Sequence, residues 1–148
     1  MFKRCVHVFV IGFIFIGLVA AVAPTEKPSS SFEQMAHANC AFCQIITRQS
    51  PAVIIDETDD LIVIEKRPIR KPVDCLIIPK KHIVNIKTLD ASNLYDQTVL
   101  SKMALKAQEL SKRLNGQGDF TITMNNGPQS AQTVFHMHMH FRSPNNWK

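Results

Sequence analysis

Three histidines occupy alternate positions near the C-terminus, at His136, His138 and His140, and they are half of the six histidines in the chain. Side chains of a β-strand point alternately to opposite faces, so this spacing predicts a strand with three imidazoles on one face. The apolar residues between and beside them are expected to point into a core: Phe135, Met137, Met139 and Phe141. Clustered imidazoles predict either a metal site or a site that binds or attacks phosphate.

A metal site needs further ligands, and the sequence offers them. Cys40 and Cys43 form a CxxC pair, and His82 follows a Pro-Lys-Lys segment. Together with one of the three clustered histidines, they would complete a tetrahedral Cys₂His₂ zinc site. The alternatives for the CxxC pair are a disulfide or a redox motif. Cys75, which alternates within an apolar run, is expected to be a core residue.

A phosphate site is the second interpretation of the histidine cluster. A neutral imidazole can attack phosphorus and form a phosphohistidine, which divides one difficult displacement into two easier ones. The middle histidine, His138, would have a hydrogen-bond donor on either side to hold phosphate oxygens. The small, polar segment over 125–133 directly precedes the cluster, and such a loop can present backbone N–H groups to an anion.

The elements that must position these residues are short strands and one long helix. Apolar residues at helical spacing predict a helix over 90–115, which is capped by Asp90 or Ser92 and ended by Asn115-Gly116. Short apolar or alternating runs predict strands before the histidine strand, at 52–55, 61–64, 75–78 and 120–124. The sequence therefore predicts an α+β fold with an antiparallel sheet of about five strands.

The N-terminal part of the chain differs from the rest. Lys3 and Arg4 precede an uncharged apolar run over 8–23 that ends in small residues. This layout predicts a secretory signal peptide over 1–23, and the alternatives are an uncleaved membrane anchor or a translation start at Met35. The protein would be exported or membrane-anchored in the first two cases, and cytoplasmic in the third. Residues 24–38 are predicted to be a linker before a domain over 39–148.

Charge and size limit the ligands. A chain of 148 residues is long enough to bury one core, and its formal charge of +5 favours an anionic ligand without identifying it. The basic residues are dispersed and are not interleaved with aromatic residues, so we do not expect a nucleic-acid platform. Membrane contact is expected only through an uncleaved N-terminal segment.

The segment from His136 to Phe141 resembles the signature of the histidine triad (HIT) family, in which three histidines alternate with apolar residues. The last position of the signature is Arg142 here, where the family has an apolar residue. The resemblance extends from Cys40 onward. Four segments of the chain are similar, in the same order, to segments of the branch of the family called HINT: 40–46, 76–83, 125–133 and the tail with Trp147.

This resemblance implies a HIT fold that dimerises through its helix and sheet, and hydrolysis or transfer at the α-phosphate of a nucleotide. The substrate would be a nucleoside phosphoramidate or a dinucleoside polyphosphate, with a purine base. His138 would be the nucleophile that forms a nucleotidyl-histidine intermediate, and His140 would bind the same phosphate. Three residues of the preceding loop would contact the phosphate region or the leaving group: Asn125, Gln132 and Thr133, with Thr133 also in a catalytic role.

In zinc-containing relatives the metal lies between the equivalents of four residues, which are Cys40, Cys43, His82 and His136 here.

Two departures from the family pattern concern substrate selectivity. Lys66 stands where many members have an aspartate that binds the ribose, with Glu65 beside it. Asp74 or a neighbour stands where many members have a fourth histidine. We hypothesise that Lys66 favours an additional phosphate or another anion.

Two other functions fit the same residues. A non-catalytic nucleotide-binding or scaffold protein would keep the pocket, although it would not need a histidine at position 138. A metal-storage or metal-sensing surface would bind more than one metal ion per chain. The first alternative predicts equal, negligible turnover in the wild type and in His138→Ala.

Overall fold

The computed structural model describes residues 39–68 and 71–148. The predicted signal peptide or anchor and the predicted linker lie outside the described residues. The helices are α1 (Ala41–Ile46) and α2 (Leu94–Ser111), and the strands are β1 (Ile54–Glu57), β2 (Leu61–Glu65), β3 (Val73–Pro79), β4 (Thr121–Thr123) and β5 (Met139–Ser143). Short 3₁₀ turns lie at Ile86–Thr88 and Pro128–Ser130.

The five strands form one antiparallel sheet in the order β1-β2-β3-β5-β4, which confirms the predicted α+β class. β1 and β2 are the predicted hairpin. β3 lies at the centre, and its pairing with β5 sets Leu76 opposite His140 and Asp74 opposite Arg142. Residues that are paired across strands share a face, so this register decides which side chains surround the histidines.

Both faces of the sheet are covered, so β3 is buried along its whole length. α2 packs on one side, which we call the helix-side face, with a continuous apolar core that includes Val99, Met103 and Phe141. Cys75 is buried in this core, as predicted. α1 covers the opposite side, which we call the histidine face because it carries His140. There, Cys40 and Phe42 pack against alternate residues of β2 and β3: Ile62, Ile64, Leu76 and Ile78.

The long helix is shorter than predicted, and both predicted caps are wrong. Helix α2 begins at Leu94, where the Asn93 side chain accepts a hydrogen bond from the Asp96 backbone N–H. Asp90 instead accepts from the backbone N–H of Ser92, which forms a local turn before the helix. Several residues near the start of the predicted helix could cap it, and hydropathy spacing does not distinguish between them.

The histidine strand also begins later than predicted, because the β5 ladder starts only at Met139. Met137, Met139 and Phe141 are buried, in agreement with the predicted alternation. The prediction for Phe135 is wrong, since this side chain is 51% exposed. Phe135 precedes the paired part of the chain, where alternation no longer decides which side chains are covered.

No helix within residues 39–68 and 71–148 combines the length and the apolar character that crossing a bilayer requires.

Candidate active site and metal centre

Four predicted metal ligands meet at the edge of the histidine face. The ligand atoms of Cys40, Cys43, His82 and His136 all lie within 4.8 Å of one another. Cys40 is the N-cap of α1, Cys43 lies in its first turn, His82 follows β3, and His136 precedes β5. The fold therefore brings together three segments that are far apart in sequence.

The hydrogen bonds of His136 leave one ring nitrogen facing the sulfur atoms. Its Nε2 lies 2.8 Å from the Pro79 carbonyl oxygen, which can only accept, so Nε2 carries the proton. Its Nδ1 is 3.5 Å from the sulfur atoms of both Cys40 and Cys43. The sulfur of Cys43 is also 3.2 Å from His82 Nδ1. This tautomer is the one that a metal-binding imidazole with a backbone partner requires.

The spacing of these atoms fits a tetrahedral zinc ion. With zinc–sulfur and zinc–nitrogen bonds of ordinary length, neighbouring ligand atoms of a tetrahedron are about 3.6 Å apart. Both cysteines are free, so the structure has no disulfide in the CxxC pair. Burial and the adjacent Cys40 raise the pKa of the Cys43 thiol to about 12. A cation at the centre of the four atoms would favour the thiolate form, as it does in zinc sites.

A cavity of about 600 Å³ opens on the histidine face beside this cluster. His138 and His140 line it, together with Thr133 from the preceding loop and Lys66, the residue that follows β2. The remaining wall is largely apolar and includes Phe42, Ile64 and Leu76. Phe42 also contacts His138 edge-on, with ring centroids 5.1 Å apart.

His138 and His140 are neighbours with opposite tautomers. The Nδ1 of His138 lies 2.8 Å from the His136 carbonyl oxygen, so it donates, and Nε2 keeps its lone pair. The Nδ1 of His140 lies 3.2 Å from an Arg142 guanidinium nitrogen, which can only donate. His140 Nδ1 therefore accepts, and its proton lies on Nε2. One imidazole presents a nucleophile and the next presents a donor.

Both imidazoles are kept neutral. Burial lowers the pKa of His138, and the hydrogen bond to the His136 carbonyl partly opposes this effect. Burial lowers the pKa of His140 to about 4, and the charges of His138, Arg142 and Lys66 act in the same direction, against Asp74. A neutral imidazole is the form that can attack phosphorus.

The three loop residues that were predicted to contact substrate differ in position. Thr133 lines the cavity. Gln132 is buried, and its amide accepts from the Gly127 N–H and donates to the carbonyl oxygens of Val84 and Val134. Asn125 donates to the Ala131 carbonyl oxygen. In this structure Gln132 and Asn125 shape the loop, and their contacts with substrate stay predictions.

Sequence reasoning did not foresee the charged group that lies behind His140. The Asp74 side chain is fully buried, with Lys66 Nζ 3.7 Å and Arg142 Nε 3.4 Å from its carboxylate oxygens. A signal was present, because an aspartate stands in an otherwise apolar strand and a buried carboxylate requires cations near it. Arg142 is two residues after His140 on a predicted strand, so strand geometry places both side chains on the same face of the sheet.

Comparison with known proteins identifies the family. A family model described as "Scavenger mRNA decapping enzyme C-term binding" matches residues 39–147. An uncharacterized HIT-like protein from Synechocystis is 36% identical over 99 residues, which cover 67% of this chain and 84% of the relative.

Solved structures agree with this match. A HIT family hydrolase from Clostridium thermocellum is 34% identical, with a TM-score of 0.64 over 71% of this chain and 90% of that one. A Zn-bound histidine triad family protein from Mycobacterium smegmatis is 27% identical, with a TM-score of 0.57 over 72% and 75% of the two chains. The chain therefore belongs to the histidine triad family and has the HIT fold.

Proposed function

We propose that the protein is a zinc-containing nucleotide hydrolase or transferase that acts through a nucleotidyl-His138 intermediate. Its substrate would be a nucleoside phosphoramidate or a dinucleoside polyphosphate, attacked at the α-phosphate. The observation that carries this proposal is the pair of complementary tautomers at His138 and His140 in one cavity. The similarity to HIT family hydrolases supports the reaction class.

In the first step, Nε2 of His138 attacks the α-phosphorus and forms an N–P bond, while the bond from phosphorus to the leaving amine or phosphate breaks. The imidazole then carries a positive charge, which the His136 carbonyl stabilises through the Nδ1–H hydrogen bond. The Nε2–H of His140 donates to a phosphate oxygen. Thr133, which lines the cavity, would pass a proton from solvent to the leaving group.

In the second step, water attacks the same phosphorus and the N–P bond breaks. The electron pair returns to Nε2 of His138, and the nucleoside monophosphate leaves after the attacking water has lost a proton to solvent. A second alcohol or phosphate in place of water would give transfer rather than hydrolysis. The apolar wall that includes Phe42 and Leu76 would receive the purine base, and Asn125 and Gln132 would contact the phosphate region from the loop.

Zinc would be held by Cys40, Cys43, His82 and His136. When bound, it supplies a cross-link between α1 and the segments beside β3 and β5. His136 therefore has a structural role, while its carbonyl oxygen orients His138. Elemental analysis should find one zinc ion per chain, and more than one would favour metal storage or sensing instead.

The function is tested by incubating the protein with adenosine phosphoramidate and comparing the wild type with His138→Ala. We expect turnover to fall by about 10⁴-fold in the variant, with adenosine monophosphate binding retained. Thr58→Ala is the control for a substitution outside the cavity, because Thr58 is an exposed residue of the β1–β2 turn whose hydroxyl accepts from the Leu61 backbone N–H. Binding with equal, negligible turnover in both proteins would identify a non-catalytic nucleotide-binding protein.

We also propose a homodimer that forms through α2 and the sheet. Leu94 and Leu105 on α2 are 73% and 63% exposed, and Ile122 on the edge strand β4 is 41% exposed. Exposed apolar side chains on a helix and an uncovered strand edge favour association. Light scattering should give twice the chain mass, and a monomer would reject the proposal.

For the N-terminal region we retain the proposal of a signal peptide or anchor over 1–23, a linker over 24–38 and a HIT domain over 39–148. N-terminal sequencing of the mature protein from membrane and soluble fractions tests it. A mature N-terminus near residue 24 would indicate cleavage, whereas one at Met35 would indicate the later translation start.

A further inference from the structure

Arg142 lies next to the candidate active site without lining the cavity. It follows His140 by two residues on β5, so the two side chains share a face. On the neighbouring strand it is paired directly with Asp74, and on the other side of β5 it is paired with Thr121 of β4. A guanidinium on a largely buried sheet face needs several hydrogen-bond acceptors, because it cannot lose its charge.

The guanidinium makes three polar contacts, one with each neighbouring strand and one along its own strand. Nη2 donates to His140 Nδ1 at 3.2 Å, and Nη1 donates to the Thr123 hydroxyl at 3.5 Å. Nε lies 3.4 Å from a carboxylate oxygen of Asp74. Contacts in three directions restrict the orientation of a planar group more than any one of them would.

Asp74 explains why this cation stays in place. Its side chain is fully buried, and both carboxylate oxygens lack a hydrogen-bond partner. The compensating charges are Arg142 at 3.4 Å and Lys66 Nζ at 3.7 Å. A buried carboxylate without hydrogen bonds lowers the stability of the fold unless cations lie close to it. Asp74 therefore keeps both cations beside it, next to the cavity.

We propose that Arg142 is a positioning residue that holds His140 in the tautomer with the proton on Nε2, and that Asp74 anchors Arg142 for this purpose. A guanidinium cannot accept, so the alternative tautomer would set two donors against each other. The phosphate-binding use of this tautomer rests on the proposed function. The charged and titratable groups around His140 are His138, Arg142, Lys66 and Asp74.

The tautomer is measurable without substrate. We expect the ¹⁵N chemical shifts of His140 in the full-length protein at pH 7.5 to show a protonated Nε2 and an unprotonated Nδ1. Arg142→Met should increase the Nδ1–H population, and Asp74→Asn should do so to a smaller extent. Arg113→Met is the matched control, because this arginine also pairs with an aspartate, Asp56, but outside the site. A protonated Nδ1 in the wild type overturns the inference, even if no variant folds.

Binding gives a second, functional readout. At pH 8, Arg142→Met should weaken adenosine monophosphate binding by about tenfold. In this variant the neutral His140 is no longer held in one tautomer, so its Nε2 often presents a lone pair to the phosphate instead of a proton. At acidic pH His140 becomes a cation with donors on both nitrogens, so the deficit should shrink. A deficit that is the same at every pH would overturn the proposal and indicate a general charge effect.

Turnover separates this inference from the proposed function. If the wild type binds nucleotide but has no turnover, the proposed catalysis fails, while the tautomer and binding measurements still decide the role of Arg142. If turnover is present, Arg142→Met should raise KM more than it lowers kcat. The reason is that His140 would contact the phosphate oxygens in the enzyme–substrate complex, before the transition state is reached. Unchanged KM with an unchanged tautomer would reject the positioning role.

Discussion

The two faces of the sheet are both covered by helices, yet they are built from different chemistry. Under α2, the helix-side face is a continuous apolar core. Under α1, the histidine face begins with an apolar cluster and ends in imidazoles, a buried carboxylate and two cations. Burying polar groups reduces stability unless every group has a partner. The polar groups of the candidate site on the histidine face therefore reduce stability, and the apolar core on the helix-side face offsets this cost.

β5 shows the same contrast within a few residues. Met139 and Phe141 point to the apolar core, whereas His140 and Arg142 point to the other side. Phe141 is fully buried and stacks on Phe120, with ring centroids 4.9 Å apart. Changes at alternate positions of this strand should therefore separate loss of stability from loss of activity.

The largest effect on stability is expected on the helix-side face. Phe141→Ala should lower the free energy of unfolding by about 3–5 kcal/mol, because it leaves a cavity in a closed core. Denaturant unfolding measures this change. Phe135→Ala is the control, since the exposed Phe135 side chain should cost only about 0.5 kcal/mol. Equal losses in the two variants would contradict the assignment of the core.

Removal of the proposed zinc ion should have the next largest effect. A strong chelator should lower the thermal midpoint by about 8 °C or more, because the cross-link joins three segments of the chain. Cys43→Ser should already have the lower midpoint and show no further decrease with chelator. A midpoint that does not respond to chelator in the wild type would reject a structural metal.

The histidine face should also show a dependence of stability on pH. Burial lowers the pKa of His140 from the ordinary histidine value of 6.5 to about 4 in the folded protein. The unfolded chain therefore binds more protons between these values, so the free energy of unfolding should decrease as the pH falls from about 6.5 to about 4. Denaturant unfolding of the wild type and His140→Gln should show a smaller slope in the variant. Identical slopes would contradict this origin of the pH dependence.

The smallest effect concerns selectivity at Lys66. Lys66→Met should weaken binding of a nucleotide that carries an additional ribose phosphate by about tenfold, and binding of adenosine monophosphate should change much less. This substitution is preferable to Lys66→Asp, which would place a second carboxylate beside Asp74. Equal changes for the two nucleotides, measured by calorimetry, would reject a role for Lys66 in recognition of an extra anion.

Much of this contrast was predictable from the sequence. Period-two alternation correctly placed Met139 and Phe141 in a core opposite the histidines, and the CxxC pair with His82 and His136 forms the predicted cluster. The strand prediction succeeded because side-chain alternation depends only on local spacing. Ligand chemistry required one of the three clustered histidines as the fourth ligand, and the resemblance to the HIT family implied that it is His136.

Other features depended on contacts that local spacing does not contain. The short helix α1 and the cap at Asn93 were not predicted, and the exposure of Phe135 was predicted wrongly. The connection from Asp74 through Arg142 to His140 requires the register between β3 and β5, which only the folded sheet reveals.

The proposed function requires that His138 becomes covalently nucleotidylated during turnover. Intact-mass spectrometry tests it directly, after the protein has been mixed with adenosine phosphoramidate and quenched within milliseconds under alkaline, denaturing conditions. We predict a transient mass increase of one adenylyl group on the wild type, located on His138 by peptide mapping, and none on His138→Ala. Turnover by the wild type without any adduct, or an equal adduct on His138→Ala, would contradict the account.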